Sequence, residues 1–435
     1  MTQAATSERS AMTPLTRVRA ILGGSAGNLV EWYDWFAYAS FSLYFAKTFF
    51  PKGDQTAQLL QTAAIFAVGF LARPVGAWIF GLYADRSGRK AALTASVALM
   101  CLGSLMVAVV PGHDHIGVFA PIILTLARLL QGLSVGGEYG ASATYMSEMA
   151  GSKRRGFWSS FQFVTLIGGQ IAALAVLIVL QRLMSPADLT AWGWRIPFVI
   201  GAALAVVVFA IQMGLDETAA FESAQVAPTQ GSGAVRLFLD HPRETTAIFI
   251  LTSGGSLAFY CYTTYMQKYL TNSGHFPKDA ATLITFASLV LYLLIQPLMG
   301  WVGDMIGRTR LMAIGFALGS LTVWPIMTSV ASTRSPLVAL ALICVALVFL
   351  TGYSSVNAVV KAELFPTRVR ALGVALPYAL ANAVFGGTAE YAALAFKQAG
   401  REAGFFIYVA ALMGLAAVTA LLMRDPESLG LLEAD

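Results

Sequence analysis

Apolar residues run through this chain in long blocks, each closed by a short polar cluster. The blocks match the roughly 20 residues that an α-helix needs to cross a bilayer. A segment surrounded by hydrocarbon must satisfy its own backbone hydrogen bonds, and a helix does so. The pattern predicts twelve spanning helices, at 20–46, 58–83, 91–110, 118–147, 157–182, 193–214, 244–270, 279–303, 310–330, 336–361, 369–396 and 402–424. They consume most of the 435 residues and leave no room for a soluble catalytic or signalling domain. The sizeable interruption at 215–243 contains Pro228-Thr229-Gln230-Gly231-Ser232-Gly233 and reads as a linker between a six-helix half at 20–214 and another at 244–424. Short polar tails, 1–19 and 425–435, complete an all-α integral membrane architecture.

The polar clusters repeat. Gly81-Leu82-Tyr83-Ala84-Asp85-Arg86-Ser87-Gly88-Arg89-Lys90 is echoed by Gly300-Trp301-Val302-Gly303-Asp304-Met305-Ile306-Gly307-Arg308-Thr309-Arg310. Glu148 is followed seven positions on by Arg155, and Glu363 seven positions on by Arg370. The second Asp trails the first by 219 positions (304 − 85) and the second Glu trails by 215 (363 − 148), so the halves are homologous and nearly in register.

Composition agrees with the pattern: 57% of residues are hydrophobic and 12% charged, against about 25% charged in a soluble domain. The net charge of +5 matters through its location. Lys and Arg gather in the N-terminal tail (Arg9, Arg17, Arg19) and in alternate loops, at Arg86, Arg89 and Lys90, at Lys153, Arg154 and Arg155, at Arg236 and Arg243, at Arg308 and Arg310, and at Lys361, Arg368 and Arg370. The loop with His113-Asp114-His115 has neither. By the positive-inside rule both termini and the linker are expected in the cytoplasm. Charge that hugs membrane edges in this way gives no support to nucleic-acid binding. The tail has no signal-peptide core, so the first helix is expected to be retained. Cys101, Cys261 and Cys344 lie in apolar spans and are expected to be free, buried thiols.

Ionisable groups inside spans are costly and are functional candidates by default. Glu31 and Asp34 lie three apart on one face of the first helix, Glu31 close to the bilayer midplane. Two adjacent carboxylates in low dielectric do not both ionise cheaply, so the pair is suited to carrying a proton. Arg73, beside Pro74, lies deep in the second helix, and Arg128 opens the run Arg128-Leu129-Leu130-Gln131-Gly132-Leu133-Ser134-Val135-Gly136-Gly137-Glu138-Tyr139-Gly140. Either arginine is a candidate anion ligand, because guanidinium grips carboxylate at two points and keeps its charge. Fixed structural pairing of Arg73 and Arg128 with Glu31, Asp34 and Glu138 is the alternative. All four histidines lie in loops or at span edges, which leaves Glu31, Asp34 and Glu138 as proton carriers. In the second half Tyr260, Thr264 and Gln267 recur at i, i+4 and i+7, with Tyr353, Ser354 and Asn357 and then Tyr378, Asn382 and Glu390 on later helices. These line a central cavity or join helices by hydrogen bonds. There is no nucleophile–base pair, metal cluster or phosphate loop with usable spacing, so neither an enzyme nor a bound cofactor is expected.

The doubled Gly-x-x-x-Asp-x-x-Gly-Arg and Glu…Arg pattern resembles the major facilitator superfamily of secondary transporters over nearly the whole chain. Val30-Glu31-Trp32-Tyr33-Asp34, Arg128 through Gly140 and Trp192-Gly193-Trp194-Arg195-Ile196-Pro197-Phe198 are similar to its metabolite–proton symporter family, which carries dicarboxylates, citrate, shikimate, proline and betaine. Ala143 to Glu148, Phe161 to Gln170, Thr263 to Leu270 and Asn382 to Tyr391 narrow the resemblance to that family's bacterial carriers of α-ketoglutarate. Met305 departs from the superfamily motif, which commonly has a basic residue there.

The resemblance implies a proton-coupled importer of α-ketoglutarate or a related dicarboxylate, multi-pass in the bacterial inner membrane, monomeric, with protons as coupling ion. Substrate sits near the midplane while the halves rock. Tyr33, Gln162, Tyr260, Thr264 and Asn357 join Arg73 and Arg128 as substrate candidates. Asp85, Arg89, Glu148 and Arg155 with Asp304, Arg308, Glu363 and Arg370 are expected to latch the cytoplasmic end. Carrying a dianion against an interior-negative potential costs about 2.3 kcal/mol per net charge per 100 mV, so two protons make import electroneutral and three let the potential drive it. Citrate, shikimate or a zwitterionic osmolyte is the alternative cargo, and a non-transporting nutrient sensor the alternative class. The short tail after Arg424 argues against osmosensing.

Overall fold

The computed structural model describes residues 14–87, 89–136, 154–213 and 239–423. The long helices are α1 (Pro14–Phe49), α2 (Gln55–Ser87), α3 (Arg89–Val109) and α5 (Phe119–Val135), with the one-turn α4 (His113–Ile116) in what the sequence presented as a loop. They continue with α6 (Arg155–Ser159), α7 (Phe161–Leu183), α8 (Pro186–Ala191) and α9 (Ile196–Met213). The second half comprises α10 (Pro242–Tyr262), α11 (Met266–Asn272), α12 (Lys278–Ile306), α13 (Arg308–Ser332), α14 (Pro336–Ser354), α15 (Asn357–Glu363), α16 (Thr367–Ala381), α17 (Ala389–Gln398) and α18 (Glu402–Leu422). Among the described residues eight helices are long and apolar enough to span a membrane.

Polar and charged side chains are buried along with the apolar core, and large apolar side chains are exposed. On α5 the buried stripe is Ala120, Leu124, Ala127, Arg128, Gln131, Gly132, Ser134 and Val135, while Ile122 and Leu126 are each 49% exposed. The repeat is helical, but Arg128, Gln131 and Ser134 lie on the buried side with Leu124 and Val135, while Ile122 and Leu126 face outward. Only an apolar solvent makes that arrangement favourable. Cys261 is buried, whereas Cys101 and Cys344 are partly exposed, and all three are free.

Several spans that read as continuous are broken, and hydroxyl or amide side chains stand at each break. Between α10 and α11 the Tyr265 amide bonds back to the Tyr260 carbonyl at 2.8 Å, and the Thr263 hydroxyl takes the Phe259 carbonyl at 2.7 Å. Between α14 and α15 the Ser355 hydroxyl takes the Thr351 carbonyl at 2.6 Å and the Asn357 amide donates to the Ser354 carbonyl at 3.2 Å. Between α16 and α17 a π-turn over Asn382–Gly386 brings the Gly387 amide 2.8 Å from the Asn382 carbonyl. Side chains that bond locally to the backbone compete with the regular ladder, and hydropathy cannot register the substitution. The Tyr260, Thr264, Gln267 spacing therefore does not describe one helical face, because the helix is interrupted between the first and second members.

Within each half the helices pack on one another, and the two motif-bearing helices reach across. α12 lies against α6 and α7, and α2 lies against α17 and the π-turn. The end of α12 at Asp304 is called the motif end below, and the start at Lys278 the far end.

Candidate functional site

The central site rests on two helices whose backbones touch. A Cβ on Gly132 of α5 would stand 2.0 Å from the Gly69 carbonyl oxygen of α2, and one on Gly136 would stand 2.1 Å from the Arg73 carbonyl oxygen. Glycine is required at such a crossing, and the approach sets Arg73 and Arg128 around one indole. The Arg73 Cζ lies 4.0 Å from the Trp35 ring and 4.0 Å from the Phe70 ring. The Arg128 Cζ lies 4.0 Å from Trp35 and 4.5 Å from Tyr38. Ring faces offset part of the desolvation of a guanidinium but leave its in-plane N–H groups without acceptors. Arg73 is 6% and Arg128 0% exposed, and the Nε and Nη2 of each have no hydrogen-bond partner among the described residues.

One carboxylate is tied to this pair. The Arg128 Nη1 donates to the Gln131 Oε1 at 2.6 Å, the Gln131 Nε2 donates to the Asp34 Oδ2, and the Ser104 hydroxyl donates to the Asp34 Oδ1 at 2.6 Å. The direction of the chain is forced: Arg128 can only donate, so Gln131 turns its oxygen to Arg128 and its amide to Asp34. Asp34 and Arg128 thus meet through an amide and not by direct contact. Glu31 is also buried, and its charge acts on Arg73. The two carboxylates that sequence placed on one face are divided between the two arginines.

The remaining candidates are dispersed. Tyr260 lines a cavity of ≈ 10 Å³ together with Gly255, Phe259, Tyr353, Tyr378 and Asn382, and its ring lies 5.3 Å from that of Phe70. Tyr33 donates to the Pro197 carbonyl at 3.0 Å, tying α1 to α9. Gln162 is fully buried on α7. The Thr264 hydroxyl lies 3.4 Å from that of Thr263, and Gln267 donates to Thr282 at 3.0 Å. Asn357 opens α15. Glu138 lies outside the described residues.

Sequence reasoning missed two buried cations of the second half. Lys268 of α11 pairs with Glu390 of α17 at 2.8 Å, the two side chains 0% and 3% exposed. Lys361, which sequence grouped with the loop cations, is 1% exposed because α15 continues the span beyond its break. Its Nζ lies 3.3 Å from the Tyr353 hydroxyl, eight residues back toward the middle of the bundle. A lone Lys near the end of an apolar run was the available signal, and it looks the same as a snorkelling interfacial lysine.

Both ends of the interface between halves are bridged. At the motif end Asp304 accepts from the Gly156 and Phe157 amides at 2.8 and 3.0 Å, and from the Arg308 Nε at 2.9 Å. Arg308 in turn donates to Glu363, which lies 3.9 Å from Arg155. Arg370 is buried and donates to the Phe365 carbonyl at 3.2 Å. Asp85 falls on α2 and Arg89 on α3, while Glu148 lies outside the described residues. At the far end Lys278 donates to the Leu43 carbonyl at 2.9 Å, and Gln181 donates to Tyr44 at 2.7 Å and Thr282 at 3.1 Å. Between the ends, Phe36 and Phe70 of the first half meet Phe259 and Tyr260 of the second. Among the described residues, contacts between the halves therefore run from one end of the interface to the other.

Helices apolar enough to span a membrane, two halves carrying the same motif, and charges buried between bridged ends are the features of a secondary transporter. The chain matches the profile of the sugar (and other) transporter family over residues 20–226 and 229–431, and it belongs to that family, with the twelve-helix, two-half fold of the major facilitator superfamily. It is 49% identical over 408 residues to the α-ketoglutarate permease of Escherichia coli (strain K12), covering 94% of each chain. It is 31% identical over 419 residues to a citrate–proton symporter of Klebsiella pneumoniae, covering 95% of this chain and 94% of that one. The fold also matches a solved proton:xylose symporter of the major facilitator superfamily with a TM-score of 0.73 at 20% identity, over 94% of this chain and 95% of that one, which speaks to architecture alone. The chain is a transporter and not an enzyme.

Proposed function

We propose that the protein is a proton-coupled symporter that imports α-ketoglutarate or a closely related dicarboxylate by alternating access. The observation that carries this reading is the pair of buried arginines on Trp35, the Nε and Nη2 of each lacking an acceptor among the described residues. Buried donors without partners are costly unless a ligand completes them, and a carboxylate completes guanidinium best. The similarity to the α-ketoglutarate permease supports the choice of anion.

Coupling follows from the relay. With Asp34 ionised, its charge and that of Arg128 neutralise one another through Gln131. A proton on Asp34 removes the negative member and leaves Arg128 to be balanced by a substrate carboxylate. Each ligand then strengthens binding of the other, by equal free energies. Glu31 plays the same part for Arg73, with Glu138 as a further proton carrier. Tyr33, Gln162, Tyr260, Thr264 and Asn357 complete the substrate surroundings. No cofactor takes part beyond the protons.

The halves, 20–214 and 244–424, rock as units within one monomer of the bacterial inner membrane. In this reading the motif end faces the cytoplasm, as do both termini and the linker at 215–243. The cluster of Arg155, Asp304, Arg308, Glu363 and Arg370, with Asp85, Arg89 and Glu148, holds that end shut and releases it to admit the inward-facing state.

The test is uptake of labelled α-ketoglutarate into proteoliposomes under an imposed inward proton gradient, with the unmodified protein and with Arg128→Gln. Accumulation above equilibrium that disappears on dissipating the gradient, and is absent in the variant, is expected. Accumulation of citrate or betaine in place of α-ketoglutarate would overturn the substrate assignment and leave the fold untouched.

A further inference from the structure

Five nitrogen donors around one position of α1 have no acceptor among the described residues: the Nε and Nη2 of Arg73, the Nε and Nη2 of Arg128, and the indole Nε1 of Trp35. In the reading above, the substrate carboxylates complete the arginines. They leave the indole as it was. An indole nitrogen only donates, and Trp35 is 1% exposed, so its N–H is cut off from water as well as from protein acceptors. A buried Trp N–H ordinarily finds a partner, and a donor left without one destabilises the site that holds it.

The surroundings of the indole supply no substitute. Phe70 lies 4.8 Å away, edge-on at 83°, and Phe66 lies 5.3 Å away, but an aromatic face is a weak acceptor. The two guanidiniums at 4.0 Å are themselves donors. They stand on either side of Trp35 along α1: Arg73 also reaches Trp32, three residues earlier, at 5.1 Å, and Arg128 reaches Tyr38, three residues later, at 4.5 Å. The orientation of the indole is set from its other edge. A Cβ on Gly69 would stand 2.8 Å from the Trp35 Cη2 and 3.5 Å from its Cζ3, so the benzene edge is wedged against α2 and the pyrrole edge, with Nε1, is turned away from that contact. Phe70 in turn meets Tyr260 at 5.3 Å, and Tyr260 lines the cavity of ≈ 10 Å³. The indole is therefore one ring removed from the space that widens when the halves part.

We infer that Trp35 is a specificity-determining residue: its Nε1–H donates a hydrogen bond to the 2-oxo oxygen of the substrate while Arg73 and Arg128 hold the two carboxylates. This rests on the dicarboxylate reading above and goes further by naming what separates α-ketoglutarate from a plain dicarboxylate of the same length. Glutarate has the same carbon chain and both carboxylates and lacks only the oxo oxygen, so two arginines alone do not tell the two apart. The oxo oxygen is an uncharged acceptor on the carbon next to one carboxylate. Whichever guanidinium holds that carboxylate brings the oxygen beside the indole, since both guanidiniums lie against it. A site built around a donor rejects the analogue without the acceptor, because the donor then stays buried and unpaired.

The experiment measures equilibrium binding of α-ketoglutarate and of glutarate to the purified protein, to Trp35→Phe, and to protein carrying β-(3-benzothienyl)alanine at position 35, in which sulfur replaces the indole N–H and the ring faces remain. The unmodified protein is expected to bind α-ketoglutarate about tenfold or more tightly than glutarate, the range of a buried donor satisfied in one complex and not in the other. In both substituted proteins that preference disappears through loss of α-ketoglutarate affinity. Glutarate affinity does not fall, which also shows that the fold and the arginines are in place. Should Trp35→Phe not fold, the sulfur isostere decides. An undiminished preference in the isostere, or an equal loss for both ligands there, overturns the assignment and leaves the dicarboxylate reading intact, as does equal binding of the two ligands by the unmodified protein. If neither ligand binds the unmodified protein, the dicarboxylate reading fails and the assignment with it.

Discussion

A charge placed inside a membrane bundle must be completed, and the completion differs from residue to residue here. Arg128 is linked by an amide relay to Asp34 and flanked by two aromatic faces, with its Nε and Nη2 left without acceptors among the described residues. A lysine in its place could not lie flat between Trp35 and Tyr38 and still reach Gln131, because the arrangement depends on a planar, forked donor. Lys268 and Glu390 complete one another at 2.8 Å while joining α11 to α17. Removing one partner of such a pair leaves an uncompensated buried charge, at a cost of about 3–5 kcal/mol, whereas replacing both with apolar groups is often neutral or stabilising. Glu390→Gln is therefore expected to lower the melting temperature of the detergent-solubilised protein sharply, and Lys268→Met combined with Glu390→Leu to restore it. A double variant no more stable than the single one would contradict this account of the pair. Arg73, Arg128, Glu31 and Asp34 were legible in the sequence because each interrupts an apolar run. Their division into separate pairs was not, because it depends on the packing of α3 and α5 against α1, which helical spacing along α1 does not encode.

At the scale of elements, the distinction that matters is between helices that cross the bundle unbroken and helices that yield near its middle. α2 and α12 are unbroken, although Pro74 and Pro297 lie inside them, and they carry the duplicated motif from one end to the other. The spans formed by α10 and α11, by α14 and α15, and by α16 and α17 are interrupted, and Tyr260, Tyr353, Asn357, Tyr378 and Asn382 stand beside the interruptions. Hydropathy located every one of these spans but not their breaks, since a few locally bonded hydroxyls do not alter the mean apolarity of about 20 residues. Small residues set how closely α2 and α5 approach. Gly132→Ala would put a Cβ 2.0 Å from the Gly69 carbonyl oxygen. Overpacking of that kind costs about 1–3 kcal/mol, and it would push Arg73 away from Arg128. The expected result is a lower melting temperature together with loss of gradient-driven uptake. Wild-type uptake and stability in Gly132→Ala would show that the crossing does not position the arginines.

For the whole molecule, the two bridged ends are unequal in chemistry, and the inequality predicts which one a single substitution can hold open. The far end is closed by dispersed neutral and singly charged contacts, Lys278 to Leu43 and Gln181 to Tyr44 and Thr282. Among the described residues, the motif end is closed where α6 meets α12 and Glu363. There Asp304 caps the first amides of α6, and the backbones of Gly156 and Gly300 touch, so that a Cβ on Gly156 would stand 2.6 Å from the Gly300 carbonyl oxygen and 2.7 Å from the Asp304 Oδ1. A side chain at position 156 removes both the contact and the cap, while leaving the interior of each half as it is. Gly156→Leu is thus expected to shift the population toward a form open at the motif end. Ser159, 1% exposed on α6 when that end is closed, reports the shift. In a background lacking Cys101, Cys261 and Cys344, a Ser159→Cys thiol should react with a polar maleimide at least about tenfold faster when Gly156→Leu is present, equivalent to ~1.4 kcal/mol in the opening equilibrium. Uptake should fall in parallel, since a carrier that cannot close one end cannot complete its cycle, while binding of α-ketoglutarate persists. Unchanged labelling with unchanged uptake would mean that Gly156 and Gly300 do not form the latch, and closure would then rest on the charged cluster around Arg155, Glu363 and Arg308.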